Sequence, residues 1–221
     1  MNANDFFVIQ DGILKRVNGG CDRKVVVPDG VTIVDREAFK NSDVVEAVLP
    51  EGVTEIRDNA FGGCEKLERV RLPQSLRSIG LGAFCGCAAL NQIDIPDTVE
   101  SIGSSAFSHC GKLIHVALPS TCKYLNTNLV YRCPSLQSIY IPKSFVVAYY
   151  NVINECVNVE IYMETEPTER FVNKTVRTRT MDYNGDEIIQ EDVQNWNPQN
   201  RPVHLHVSRA EYERMIAEHK N

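Results

Sequence analysis

Residues 72–87 read Leu-Pro-Gln-Ser-Leu-Arg-Ser-Ile-Gly-Leu-Gly-Ala-Phe-Cys-Gly-Cys, and close variants of this stretch recur through most of the 221-residue chain. Prolines stand at positions 28, 50, 73, 96, 119 and 142, so every gap is 23 residues except the first, which is 22. An Ala-Phe pair follows each of the first four prolines, and cysteines recur at positions 64, 87, 110, 133 and 156. A shared period in several residue types predicts a solenoid of stacked coils. Each coil buries its apolar side chains against the neighbouring coils, which it could not do alone.

Each coil is predicted to contain one short strand that ends at its proline. Residues 67–72, Leu-Glu-Arg-Val-Arg-Leu, alternate apolar and polar side chains at their end, as a half-buried strand does. Proline has no amide hydrogen to donate, so a proline after every strand stops the pairing at the same height in each coil. We therefore expect one parallel sheet with a short strand per 23-residue coil. The Phe column and the neighbouring Val/Leu and Ile columns are expected to form a continuous core.

The Leu-Pro step, the Ala-Phe pair and the cysteine of residues 72–87 together resemble the BspA-type class of leucine-rich repeats. The resemblance covers about six units, nearly two-thirds of the chain. It implies a right-handed leucine-rich-repeat solenoid that acts in adhesion or protein contact, and many members of the class are surface proteins.

Three segments are predicted from the limits of the repeat. Residues 1–24 contain two short apolar runs around Asp11-Gly12 and are expected to form a hairpin that caps the first coil. Residues 25–162 are the solenoid. Residues 163–221 are a linker and a small α+β extension, with a hairpin around Asn184-Gly185, a third strand near residues 203–207, and a helix whose capping box is Ser208 and Glu211. This extension is either a cap on the last coil or a separate module.

The composition excludes some partners. The net charge is −6 without long like-charged blocks, and no run of apolar residues is long enough to span a membrane. We therefore expect neither nucleic-acid binding nor membrane insertion. If Met1 is the native start the protein is expected in the cytoplasm, and if a leader was removed it is expected at the cell surface or secreted.

The cysteines and the candidate metal ligands have structural interpretations. Five of the eight cysteines fall in one column and are predicted to be buried thiols rather than disulfides. His204 and His206 share a face of a predicted strand, where a solvated surface is the simpler interpretation. Residues 182–192 resemble the start of a calcium loop but lack the glycine at its sixth position, so a hairpin turn is favoured. No cofactor or metal site is predicted, and no catalytic motif is present, so the protein is expected not to be an enzyme.

The outward side chains of the predicted strands form a surface that we call the front face, which solenoid architecture predicts to be concave and to bind partners. Its side chains fall in two columns, one for each outward position of a strand. The first column begins at Glu46 and the second begins at Val48. The candidate partner-binding residues on it are Arg69, Arg71, Gln92, Asp94, His115, Ser138 and Tyr140. Arg and Tyr are frequent in binding hot spots, and mixed charges favour a protein or peptide over a polyanion.

Three functions are consistent with this sequence. The first is a non-catalytic interaction module that binds a protein or peptide on the front face. The second is a surface adhesion protein whose ligand is a host or envelope component. The third is a scaffold whose C-terminal extension carries the specific activity.

Overall fold

A computed structural model describes residues 6–18, 23–145, 147–148, 152–156, 159–164, 174–181, 187–194, 203–205 and 207–218. The chain winds into a solenoid in which each coil stacks in parallel on the one before it. We number strands in chain order. The strands of the main column are β3 (Lys24–Val26), β5 (Glu46–Val48), β7 (Arg69–Arg71), β10 (His115–Ala117), β13 (Ser138–Ile141) and β16 (Glu160–Met163). Each of them except β16 is followed within two residues by a proline of the repeat. Equivalent residues pair across neighbouring coils, as Ala47 with Val70 and Val116 with Ile139, so the leucine-rich-repeat solenoid predicted from the period is confirmed.

A second column of strands corrects the prediction of one strand and one sheet. It comprises β1 (Phe7–Gln10), β2 (Ile13–Val17), β4 (Ile33–Val34), β6 (Glu55–Ile56), β8 (Ser78–Ile79), β9 (Ser101–Ile102), β11 (Tyr124–Leu125) and β14 (Val147–Ala148). A third, shorter column pairs β12 (Val130–Tyr131) with β15 (Ile153–Asn154). Stacked coils place every segment of the repeat beside its own copy, so short extended segments outside the main sheet also pair.

The core lies between these columns and is built from the repeated apolar positions. Phe39, Phe61, Phe84 and Phe107 are buried and stack in one row, with ring centroids 4.4, 5.1 and 5.8 Å apart and interplanar angles of 13° or less. The inward residue of each front-face strand is also buried, and some of these residues, such as Ala47 and Ile139, are fully buried. The predicted continuous core is confirmed.

The cysteine column is a row of buried thiols, as predicted. All seven cysteines in the described part of the chain are thiols rather than disulfides. Each Sγ in the column donates to a carbonyl of the preceding coil, as Cys87 does to Phe61 at 3.2 Å and Cys110 to Phe84 at 3.3 Å. Burial is the largest cause that raises the pKa of both Cys87 and Cys110 well above that of an ordinary thiol. These side chains act as small apolar groups that also satisfy backbone carbonyls.

The N-terminal segment contains an antiparallel hairpin. Strands β1 and β2 are antiparallel, and Gln10 pairs with Ile13 across the two-residue turn Asp11-Gly12. Both turn residues have positive φ, 51° and 72°, which is the backbone of the tight turns that join twisted antiparallel strands. Strand β2 then pairs in parallel with β4, so the hairpin covers the first edge of the second column.

The C-terminal segment contributes strands and a helix. Strands β17 (Lys174–Met181) and β18 (Glu187–Gln194) form the predicted antiparallel hairpin, although its turn at Asn184-Gly185 lies outside the described residues. Strand β19 (Val203–Leu205) pairs in parallel with β16, so it extends the front-face sheet rather than the hairpin. Helix α1 (Arg209–Glu218) begins where the capping box predicts, and the Glu211 amide donates to Ser208 Oγ at 3.3 Å.

An ion-pair cluster joins three coils near the N-terminal end. Asp35 accepts hydrogen bonds from Lys15 Nζ and Arg57 Nη1, each at 2.9 Å. The Lys15 hydrogen bond is the largest cause that holds the pKa of Asp35 well below its usual range, with Arg57 adding to it. The charged carboxylate therefore ties the hairpin to the first two coils of the stack.

Replacing Asp35 with asparagine is expected to lower the free energy of unfolding by about 1–2 kcal/mol at neutral pH, because the partly buried charged hydrogen bonds are lost. Because folding lowers the pKa of Asp35, its charged carboxylate stabilises the fold fully above the ordinary aspartate pKa of about 3.9. This stabilisation is lost as the pH falls toward the pKa of Asp35 in the folded protein. Urea unfolding should therefore show a difference between the two proteins that shrinks below about pH 4. The Asp43→Asn control removes a carboxylate that is 77% exposed and should change stability by no more than about 0.5 kcal/mol. Equal losses of unfolding free energy in Asp35→Asn and Asp43→Asn would contradict a stabilising role for the Asp35 ion-pair cluster.

Candidate partner-binding groove

A groove of about 850 Å³ runs along the front face and is bounded on one side by helix α1. Strands β7 and β10, and residues 92–94 between them, form its floor. Arg209, Tyr212, Glu213, Ile216 and Ala217 of the helix form its wall. Of the residues predicted from the sequence, those that line the groove are Arg69, Arg71, Gln92, Asp94 and His115.

Arg69 and Arg71 place two guanidinium groups side by side in the groove. Both are exposed, they lie on the same side of β7, and their guanidinium groups make no hydrogen bond or ion pair with any described residue. Glu46, which is opposite Arg69 in the sheet, is paired instead with Lys24 at 2.9 Å. That hydrogen bond is the main cause that lowers the pKa of Glu46, and the two arginines add a smaller electrostatic effect.

The front-face sheet is interrupted inside the groove. At equivalent positions of the repeat, Leu49 N donates to Arg71 O and Leu118 N donates to Tyr140 O, each at 3.1 Å. Between β7 and residues 92–94 no backbone hydrogen bond is formed, and the sheet divides there into separate parts. The same two coils remain paired in the second column, where Glu55 lies opposite Ser78. The opening is therefore confined to the front face.

Helix α1 covers the C-terminal part of the front face. Tyr212 is fully buried, and its ring centroid lies 5.4 Å from that of Tyr140 and 5.2 Å from that of Tyr162. Arg209 adds an ion pair to Asp97 at 2.6 Å and another to Glu213 at 2.8 Å. The described helix therefore packs as a cap on the solenoid.

Two of the predicted binding residues lie beneath this helix and are not open to a partner. Ser138 is 4% exposed and Tyr140 is fully buried, although both occupy outward positions of β13. Their exposure was inferred from strand alternation, which identifies the face of a strand but does not show what packs on it. Sequence reasoning also missed the groove wall: the helical pattern of Tyr212, Met215 and Ile216 marks an apolar stripe but does not locate its docking surface.

A chain of hydrogen bonds joins the groove floor to the helix. His115 Nδ1 and Ser138 Oγ share a hydrogen bond of 2.8 Å, and Ser138 Oγ shares another of 2.8 Å with Tyr212 Oη. A histidine beside a serine can activate a nucleophile, but a nucleophile must also be reachable by substrate. Because Ser138 is buried beneath Tyr212, this arrangement fixes the helix on the sheet.

The described residues contain no cluster of three or more His, Cys, Asp or Glu side chains arranged to hold a metal ion. Among the same residues, no helix is both long and apolar enough to cross a membrane. The sequence raised two possible metal sites, the His204 and His206 pair and the calcium-loop-like residues 182–192. Both sites lie partly outside the described part of the chain, which omits His206 and residues 182–186.

Parallel strands at a 23-residue period, stacked Phe and Cys columns and an open front face define a leucine-rich-repeat protein. The chain matches the BspA type leucine rich repeat region in six copies over residues 32–160, and it belongs to that family. No curated protein matches the chain significantly.

Solved structures share the fold. A leucine rich repeat protein of T. pallidum (TpLRR) is 30% identical, with a TM-score of 0.60 over 74% of this chain and 85% of that one. The pneumococcal vaccine antigen PcpA is 22% identical, with a TM-score of 0.64 over 75% of this chain and 44% of that one. A leucine rich cell surface protein of Faecalibacterium prausnitzii is 23% identical, with a TM-score of 0.61 over 87% of this chain and 61% of that one. The chain thus spans less than two thirds of the last two proteins.

Proposed function

We propose that the protein is a non-catalytic interaction module that holds a segment of a partner protein in the groove between the front face and helix α1. The observation that carries this proposal is the pair of exposed guanidinium groups, Arg69 and Arg71, which line a groove and make no hydrogen bond or ion pair with a described residue. Arginines and aromatic residues are enriched at protein interfaces.

The size and composition of the groove favour a polypeptide ligand. Its volume of about 850 Å³ accommodates a few residues of an extended chain, and its lining combines apolar side chains such as Ile216 with charges of both signs. Binding of a short segment buries a modest area, which suits transient recognition. The rigid solenoid also limits the conformational cost of binding.

A steric block tests this function. A displayed library of random peptides is selected on the full-length protein, and the selected peptides are then measured against two tryptophan variants. Gln92→Trp places a large ring in the groove and is expected to weaken binding at least about tenfold, whereas Lys112→Trp, at an exposed position outside the groove lining, should have no effect. Circular dichroism and urea unfolding confirm that both variants fold. Peptides that bind Gln92→Trp as well as the wild type would refute the groove as the binding site.

Adhesion is a second candidate function, because a relative of the same fold is described as a cell surface protein. The groove would then hold a segment of a host or envelope protein. Labelling of intact source cells with an antibody against the solenoid separates the two functions. A signal on intact cells supports adhesion, and a signal that requires permeabilised cells supports an internal partner.

A further inference from the structure

We propose that the ligand of the groove is an extended acidic peptide segment whose carboxylates bind Arg69 and Arg71, an inference that rests on the function proposed above. Both arginines lie on one face of β7, two residues apart. Alternate side chains of a strand are separated by about 6.6–6.8 Å. Acidic residues at alternate positions of an extended ligand have the same spacing, so they can meet both guanidinium groups at once.

The other charged groups of the groove lining make hydrogen bonds or ion pairs within the chain. Glu46 is paired with Lys24, and Asp94 accepts a hydrogen bond from Gln92 at 3.0 Å. On the helix wall, Arg209 is paired with Glu213. Arg69 and Arg71 are the charged groups of the lining that make neither a hydrogen bond nor an ion pair with a described residue. A guanidinium group binds a carboxylate through two parallel hydrogen bonds, so these positions favour an acidic ligand.

The interruption of the front-face sheet adds a site for the ligand's backbone. Leu72 N does not make the hydrogen bond to the following coil that Leu49 N and Leu118 N make at equivalent positions. The backbone of residues 92–94 likewise has no hydrogen bond to β7. Leu72 lines the groove, so its amide can donate to a carbonyl of an extended peptide instead. This geometry favours a peptide over a small carboxylic acid.

The charges of the groove also disfavour a sulfated polysaccharide. Glu46, Asp94 and Glu213 line the same groove as the two arginines, and the whole chain carries a net charge of −6. A continuous polyanion would place negative charge beside these carboxylates, which costs free energy. A peptide can place its acidic residues opposite the arginines alone.

Fluorescence anisotropy with defined probes tests the inference on the full-length protein. The first probe is a labelled Ser peptide that carries two Glu residues at alternate positions in its centre, about ten residues long and therefore about 33 Å when extended. The second replaces every Glu with Lys, and the third is a labelled sulfated oligosaccharide. Binding of each probe is compared between the wild type, the Arg69→Gln/Arg71→Gln variant and the Lys112→Gln/Lys123→Gln variant. The last variant removes the same charge at exposed positions outside the groove lining.

The acidic peptide should bind the wild type, bind the arginine variant at least about tenfold more weakly, and bind the lysine variant within about twofold of the wild type. The basic peptide should not bind. Equal weakening in both variants would show attraction by charge alone and would overturn the inference. Tighter, arginine-dependent binding of the oligosaccharide would overturn the peptide assignment. If library-selected peptides respond to Gln92→Trp but neither carry acidic residues nor respond to the arginine variant, the groove function stands and this inference fails.

Discussion

Replacing Phe84 with alanine is expected to lower the free energy of unfolding by about 3–5 kcal/mol. Phe84 is fully buried between Phe61 and Phe107, with ring centroids 5.1 and 5.8 Å away. The substitution removes apolar surface from the core and leaves a cavity at two coil interfaces, because Phe61 and Phe107 each lose a stacked ring. Urea unfolding followed by circular dichroism measures the change.

Two further substitutions define the cause of that loss. Leu81→Ala lies in the same coil but removes a side chain that is 51% exposed, so it should change stability by no more than about 0.5 kcal/mol. Phe84→Leu keeps much of the buried apolar volume and should be less destabilising than alanine, which preserves a measurable protein if Phe84→Ala does not fold. Similar unfolding free energies for Phe84→Ala and Leu81→Ala would rule out the Phe column as a main stabilising element.

Replacing Gly103 with alanine is expected to destabilise the solenoid by at least about 2 kcal/mol. A Cβ atom at this position would lie 2.5 Å from the Leu81 amide nitrogen and 2.6 Å from the Gly80 carbonyl carbon. Both are backbone atoms of the preceding coil, so the clash cannot be relieved by rotating a side chain. Thermal and urea unfolding should both show the loss.

Gly111 provides a matched control for this steric effect. Its Cβ would be 3.4 Å from the nearest atom, Ala88 O, and neither glycine has positive φ. The Gly111→Ala substitution therefore changes the backbone entropy of the unfolded chain in the same way, without the close contact. Equal effects at the two positions would show that coil spacing at Gly103 is not limited by steric contact.

The repeat period was sufficient to predict the solenoid and its core because each buried residue type recurs in phase. Phe84 and Cys87 could be assigned to the interior from their columns alone. The second strand column could not be predicted, because a two-residue strand such as Ser78–Ile79 has no alternation to detect. The hairpin at Asp11-Gly12 was predictable because its turn chemistry is local.

The candidate site was predicted only in part. Alternation placed Arg69 and Arg71 on the outward face of a strand, where the structure has them. The break beside residues 92–94 has no signal in the sequence, since these residues alternate like those of every other coil. Burial of Tyr140 depends on a contact with Tyr212, which is 72 residues away in the chain. Periodicity within one segment contains no information about such a distant contact.

The docking of helix α1 makes the open part of the front face shorter than the solenoid. The helix covers β13, so the open floor ends near His115 and Ala117 although the solenoid continues to β16. Insertion of one further 23-residue unit ahead of β13 would extend the open floor by one strand spacing, about 4.8 Å, and leave both ends unchanged. Repeat duplication could then lengthen the recognised segment of a ligand in fixed steps, while the helix continues to mark where that segment ends.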